Sequence, residues 1–147
     1  MSVFVEELVD YLVTKEVFTA KGTDIFYSYF PDIASDPSGV LRETGGYNSE
    51  DSIPVFDTTI QAMVRGSDYD TARVRAASIY DTFHGINSID LTSSHIMYAE
   101  AVAPPADIGP DKSGRHLISM NFHFRTRPAS VTGNAQQSSK GADPNLV

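Results

Sequence analysis

The segment that most constrains the fold is residues 60–85, IQAMVRGSDYDTARVRAASIYDTFHG, which predicts a β-strand turning directly into a capped amphipathic helix. Apolar side chains alternate with the others over its first six residues, and Gly66 breaks that run. Ser67 or Asp68 can cap the helix, and Gly85 stands where a left-handed C-terminal cap belongs. One apolar helix face recurs at helical spacing and contains Tyr69, Ala72, Ala76, Ile79, Tyr80 and Phe83. The segment carries no catalytic group.

Composition excludes several classes of site. The chain has 147 residues, of which 41% are hydrophobic, and this length predicts one domain with an ordinary core. Its 19 acidic and 11 basic residues give a net charge of −8, which disfavours tight binding to nucleic acid through its phosphates. The sequence contains no cysteine, so disulfides, thiolate zinc sites and cysteine nucleophiles are excluded together.

Targeting signals are not predicted either. The chain has no run of about 18 apolar residues, which a membrane-spanning helix requires. Glu6 and Glu7 stand where a signal peptide needs positive charge followed by apolar residues. We therefore expect a protein that neither spans a membrane nor is exported.

The first half of the chain predicts one helix and two strands. Ser2 can cap a helix that runs to about Thr14. Aromatic and β-prone residues predict a first strand over Ile25–Phe30, and alternation predicts a second over Val55–Arg65. Between them, Asp32–Ser52 is polar and rich in glycine, and we interpret it as a long functional loop or a partly ordered arm.

The second half predicts a sheet built around a hairpin. Short runs of β-prone residues predict strands at Ser88–Leu91 and Ile96–Val102. A longer strand, Arg115–Arg127, has one apolar face and one largely polar face and forms the far arm of the hairpin. The intervening Pro104–Arg115 is longer than a minimal hairpin loop, which indicates a protruding tip. After Pro128 the chain is rich in small polar residues and cannot form a core.

These elements predict an α+β fold with two helices packed on one mostly antiparallel sheet, in the order α-β-β-α-β-β-β. A long β-hairpin and an extended C-terminal tail complete it. We assign residues 1–128 to a single domain and residues 129–147 to a tail that is disordered alone or ordered on assembly.

No arrangement of residues predicts catalysis, a cofactor or a metal. The sequence has none of the common nucleophile or phosphate-binding motifs. Its four histidines, at 84, 95, 116 and 123, lack the spacing of metal ligands, and we expect His84 at the end of the second helix. Asp68 and Asp70 lie in the first helical turn, where carboxylates favour the positive end of the helix dipole.

Two further clusters favour structure over ligand binding. The six arginines at 65, 73, 75, 115, 125 and 127 are interpreted as surface ion pairs and contacts between subunits, because acidic residues outnumber basic ones. The aromatic side chains of Phe26, Tyr27, Tyr29 and Phe30 lie in a predicted strand, so alternation places half of them in the core.

Three segments together resemble the minor capsid and tail terminator proteins of long-tailed bacteriophages. They are RETGG at residues 42–46, QAMVRGSDYDTARVRAASIYDTFHG at 61–85, and DKSGRHLISMNFHFRTRP at 111–128. Each is short or common on its own, and their order and spacing carry the resemblance. It covers residues 42–128.

The resemblance implies a structural virion protein without catalytic activity, cofactor or metal. It implies a six-membered ring of identical subunits at the head-proximal end of the tail tube, which stops tube polymerisation and offers a docking surface to the head. The implied partners are the tail tube protein and a head-completion or connector protein, after assembly in the host cytoplasm. DNA would pass through the lumen without sequence-specific binding, and an acidic wall suits this because it repels phosphates.

We expect interface residues in the hairpin tip, in the polar Asp32–Ser52 stretch and in the tail. The candidates are Arg42, Glu43, Tyr47, Arg65, Pro105, Asp107, Asp111, Lys112, Arg115, Arg125 and Arg127.

Two alternatives remain at this point. A neck or head-completion protein of the head–tail connector would occupy the next layer and form a twelve-fold ring. A small ligand-binding α+β module, or an enzyme using Asp57, His123 or Asp111 in a cleft, would instead be a monomer with a deep apolar pocket.

Overall fold

The computed structural model describes residues 3–31, 36–48 and 55–129, which form two helices on one open sheet and confirm the α+β class. The elements in chain order are α1 (Phe4–Thr14), β1 (Ile25–Tyr27), β2 (Ser38–Asn48), β3 (Phe56–Gly66), α2 (Tyr69–Phe83), β4 (Asn87–Asp90), β5 (Ser94–Ala101), β6 (Ala106–Pro110) and β7 (His116–Pro128). Among these residues, neither helix is long and apolar enough to cross a membrane.

The sheet is mostly antiparallel, with the strand order β1-β2-β3-β7-β5-β4. Only β1 and β2 run parallel among the strand pairs described here. β5 and β6 pair with successive parts of the same edge of β7, because Ala101 is the register partner of Phe122 and Ala106 that of Ser119. They therefore form the near arm of the predicted long hairpin, and β7 forms its far arm.

The core lies between the helices and one face of the sheet. Alternate residues of β3 and β7 face it, as their sequence pattern predicts. The buried strand residues are Ile60, Ala62, Val64, Ile118, Met120, Phe122 and Phe124, and the helices contribute Leu8, Val9, Leu12, Ala72, Ala76, Ile79 and Phe83. The apolar face predicted for α2 is confirmed, except that Tyr69 is 39% exposed.

The ends of α2 follow the sequence signals. Asp68 is the N-cap, and its Oδ2 accepts a hydrogen bond of 3.1 Å from the backbone N–H of Thr71. Gly85 has a φ of +88°, which a residue with a Cβ adopts only at a cost, and it ends the helix as predicted. At α1 the N-cap is Val3, which provides no side-chain cap, and Ser2 lies outside the described residues.

The expectation of a loop over residues 32–52 is wrong for residues 38–48, where β2 forms, while residues 32–35 and 49–52 lie outside the described residues. β2 pairs along β3 from Ser38 to Asn48. A register shift between Glu43 and Gly45 marks a bulge, in which Gly45 adopts a φ of +121°. Arg42, Glu43 and Tyr47 therefore lie on a strand. The first strand is shorter than predicted and ends at Tyr27.

The predicted hairpin tip, residues 104–115, is likewise smaller than expected. Within it, β6 pairs with β7 from Ala106 to Pro110, so the turn itself spans only residues 111–115. Pro105, directly before this strand, is half-buried, and Asp107 on the strand is exposed. β6 forms because its backbone hydrogen-bonds to β7, although its proline and glycine residues disfavour a strand.

Candidate interaction surface

The face of the sheet opposite the helices is polar. We define the open sheet face by the side chains that alternate with the core residues on β2, β3, β5 and β7. Met63 and Leu117 are apolar members, and the polar members are Arg42, Thr59, Asp57, Gln61, Tyr98, Glu100, Ser119, Asn121, His123, Arg125 and Arg127. Most of them are half-buried, and Glu100 is exposed. Among the described residues, this face is thus largely polar.

A buried carboxylate organises the open sheet face. The side chain of Asp57 is only 4% exposed, and its Oδ1 lies 2.8 Å from Nε2 of His123. Nη1 of Arg125 lies 3.5 Å from both of its carboxylate oxygens. The ring of Tyr98 meets His123 edge-on, with the ring centroids 5.7 Å apart. These contacts join β3, β7 and β5, and they give the buried charge the hydrogen-bond partners it requires.

We expect His123→Ala to lower the free energy of unfolding by about 1–3 kcal/mol, because it removes the shorter of the two contacts to a buried carboxylate. Arg125→Ala is the matched control. Its side chain is 41% exposed and its contact is longer, so we expect a loss below about 1 kcal/mol. Urea denaturation of both variants measures the difference. Equal losses would show that His123 does not hold Asp57.

A second group on the sheet has the composition of a hydrolytic triad. Oγ of Ser88 lies 3.3 Å from Nε2 of His95, and Nδ1 of His95 lies 2.6 Å from Oδ1 of Asp90. The aspartate of such a triad is buried, whereas the side chain of Asp90 is 71% exposed. Asp90 and His95 are register partners, so this contact fastens β4 to β5.

The turn between β6 and β7 is closed by two of the predicted interface residues. Oδ1 of Asp111 accepts hydrogen bonds from the backbone N–H groups of Ser113 (2.9 Å) and Arg115 (2.8 Å). Oδ2 accepts a third from Nε of Arg115, also at 2.8 Å. Desolvation raises the pKa of Asp111, but these hydrogen bonds and the charge of Arg115 outweigh it, so the pKa is lowered from its usual 3.8. Lys112, beside them, is exposed.

We expect this turn to loosen in acid. Because the pKa of Asp111 is lower in the folded chain, its contribution to stability is present above pH 3.8 and is lost as the pH falls through the folded value. The check is amide hydrogen exchange at Ser113 and Arg115 between about pH 5 and pH 2.5, after correction for the intrinsic rate. Asp111→Asn should exchange faster at pH 5 and show no further loosening. A turn protected equally at both pH values would contradict this.

The remaining predicted interface residues divide by exposure. Arg65 is only 3% exposed; its guanidinium lies 4.0 Å from the ring centroid of Phe30 and donates a hydrogen bond to the carbonyl of Pro31. Arg42 is half-buried and Glu43 exposed on β2. The backbone register places Tyr47 opposite Asp57. Arg42 of β2 and Arg125 of β7 thus lie on one face with β3 between them, and both are separate from the turn at Asp111.

The residues described by the structure offer little for a metal or a small ligand. They contain no group of three or more histidine or acidic side chains placed to hold a metal ion. A depression on the outer surface of α2 is lined by Asp70, Thr71, Val74 and Arg75. This depression is shallow and largely open to solvent, unlike the enclosed cleft that buries most of a typical ligand.

A polar open sheet face and sheet edges that the described strands pair only in part define a protein whose surfaces suit assembly with other proteins. A family model described as "Bacteriophage tail terminator protein" matches residues 12–127, and the chain belongs to this family. This confirms the resemblance inferred from the three sequence segments. The chain is therefore a structural protein of a phage tail.

The fold is shared with solved structures. A chain in the virion of a native gene transfer agent particle superposes with a TM-score of 0.57 at 15% sequence identity, covering 86% of the present chain and 99% of the other. At this identity the likeness concerns the fold alone. None of the curated proteins matches the sequence.

Proposed function

We propose that this protein is the tail terminator subunit itself, which forms a ring on the head-proximal end of the tail tube, stops tube polymerisation and provides the docking surface for the head. The observation that carries the proposal is the family match over residues 12–127. Its partners are further copies of the chain, the tail tube protein below and a head-completion or connector protein above.

The sheet edges and the net charge each support a ring. A ring with a single rotation axis needs two different contact surfaces on each subunit, one for each neighbour. The open sheet provides two different edges, with β2 near one side and β4 and β6 on the other. The net charge of −8 also suits a channel through which DNA passes, because acidic walls repel phosphates.

The test is the mass of the purified protein by light scattering, followed by negative-stain imaging alone and with tail tubes. We expect a six-fold ring, either in solution or formed from monomers on tube ends. Tubes mixed with the protein should stop growing when fresh tube protein is added. A monomer that ignores tubes would overturn the proposal, and a twelve-fold ring on portal assemblies would replace it with the neck protein.

A further inference from the structure

Two edges of the sheet carry strand backbone that no described strand pairs. β1 covers the outer side of β2 only at Gly39–Leu41, which leaves Arg42–Asn48 open on that side. At the opposite side of the sheet, β6 pairs with β7 alone. Each edge therefore presents backbone N–H and C=O groups that can pair with another strand.

Exposed apolar side chains lie at or near both edges. On the β6 side, Ile108 is 53% exposed, and Val102, directly after β5, is 66% exposed. On the β2 side, Phe56 of β3, one strand inside the edge, is 42% exposed and is the register partner of Asn48, the last residue of β2. Burial of these side chains against another chain would add to the hydrogen bonds of a paired edge.

We propose that neighbouring subunits join edge to edge, with residues 42–48 of β2 in one copy pairing with β6 of a second copy. This inference rests on the ring proposed above. Each edge of one subunit thus pairs with the opposite edge of an identical neighbouring chain. The contact is heterologous, and repetition around the axis closes the ring.

Strand direction within one subunit makes this pairing antiparallel. β2 runs against β3, β3 runs against β7, and β7 runs against β6, so β2 and β6 point in opposite directions. Rotation about a ring axis roughly parallel to the strands preserves each strand's direction along that axis. The β6 of one copy therefore meets the β2 of its neighbour as an antiparallel partner, which is the commoner and slightly more stable pairing.

The outer edge of β4 is a poorer partner. β4 has four residues and runs antiparallel to β5, hence in the same direction as β2, so it would have to pair in parallel. Ser88 within it has a φ of +67°, which interrupts a regular edge.

The two proposed edges are themselves limited by bulges. Register shifts occur between Glu43 and Gly45 on β2 and between Asp107 and Pro110 on β6. Such irregularities shorten the stretch that can pair and discourage unlimited edge-to-edge association. A bulge on each partner also fixes the register, as a ring of defined size requires.

Cysteine cross-linking tests the pairing, because the native sequence has no cysteine. Ile108→Cys is combined in turn with Arg42→Cys and with Glu43→Cys, and each double variant is oxidised after ring formation on tail tubes. Adjacent strand residues point to opposite faces, so only one of the two pairs should produce a ladder of linked chains that collapses on reduction. The single variants should remain monomers on the same gel, because a heterologous contact brings no residue against its own copy.

The matched control pair is Val74→Cys, 66% exposed on α2, with Arg42→Cys, for which we expect no ladder. Rings seen by imaging without a ladder from either edge pair would overturn edge pairing and leave the ring function intact, as would equal ladders from both pairs. Absence of rings on tubes from the native protein would overturn the ring function as well.

A second variant separates pairing from folding. Ile108→Lys places a charge on the exposed edge and should raise the concentration needed for ring formation by about tenfold or more, while circular dichroism and thermal unfolding of the subunit stay unchanged. Val74→Lys on α2 should leave assembly as it is. Normal rings from Ile108→Lys would overturn the proposed contact.

Discussion

Replacement of Phe83 by alanine is expected to lower the free energy of unfolding by about 3–5 kcal/mol. The ring of Phe83 is fully buried at the end of α2. It meets Phe122 and Phe124 edge-on, each with ring centroids 5.3 Å apart, and it stacks on Tyr11 of α1 at 6.5 Å. It is thus a contact shared by both helices and β7, and its loss leaves a cavity that these rigid elements cannot fill.

Thermal unfolding by calorimetry measures this loss as a decrease in Tm on the order of 10 °C. Phe83→Leu should lose less, because leucine refills part of the volume. Val74→Ala is the control on the same helix, where 66% exposure predicts a change within about 0.5 kcal/mol. A Phe83→Ala variant as stable as the control would mean that α2 does not pack on β7 through this ring.

The core around Phe83 was predictable because its signals are local. The helical spacing of Ala72, Ala76 and Ile79 and the alternation in β7 each specify a buried face without knowledge of the partner. Asp68 and Gly85 fix the ends of α2 through backbone groups within a few residues of themselves. The resemblance based on three segments was confirmed on the same central part of the chain.

The two missed strands show what local signals omit. β2 ends in RETGGYN, whose paired glycines disfavour a strand, and β6 is ADIGP, with one glycine and one proline. Each forms because a neighbouring long strand, β3 or β7, offers backbone hydrogen bonds along its length. That pairing depends on contacts across the sheet, so the local sequence pattern predicted a loop for the residues of both strands.

The open sheet face was less predictable than the core. Asp57 and His123 lie 66 residues apart in sequence and meet only because β3 and β7 pair in one register. A shift of that register by one residue would move them to opposite faces. Local patterns predict neither this contact nor the contact of His95 with Asp90 and Ser88.

In the sequence Glu7 served only as an argument against a signal peptide, and the structure gives it a role in the fold. Its side chain is buried, with 3% exposure, and its carboxylate oxygens each lie 3.2 Å from the backbone N of Ser93. Oγ of Ser93 also donates a short hydrogen bond to Oε2 of Glu7. α1 is therefore tied to the turn between β4 and β5, 86 residues away in sequence.

We expect Glu7→Ala to lower the free energy of unfolding by about 2–3 kcal/mol, because the hydrogen bonds to a buried carboxylate are lost. Glu6→Ala is the matched control. Glu6 forms a surface ion pair with Lys21 at 2.8 Å, and such pairs contribute about 0.2–1 kcal/mol. Urea denaturation of both variants makes the comparison, and losses of equal size would contradict a buried tie at Glu7.

Glu7→Ala should also affect the segment directly after β7, because Ser93 makes a backbone hydrogen bond with Ala129, the last described residue. The backbone carbonyl of Ser93 accepts a hydrogen bond of 3.2 Å from the N–H of Ala129, directly after β7. Loss of the Glu7 carboxylate frees the turn that carries this acceptor, so amide exchange at Ala129 should increase several-fold in Glu7→Ala and stay unchanged in Glu6→Ala. Unchanged exchange at Ala129 in Glu7→Ala would show that the turn keeps its conformation without α1.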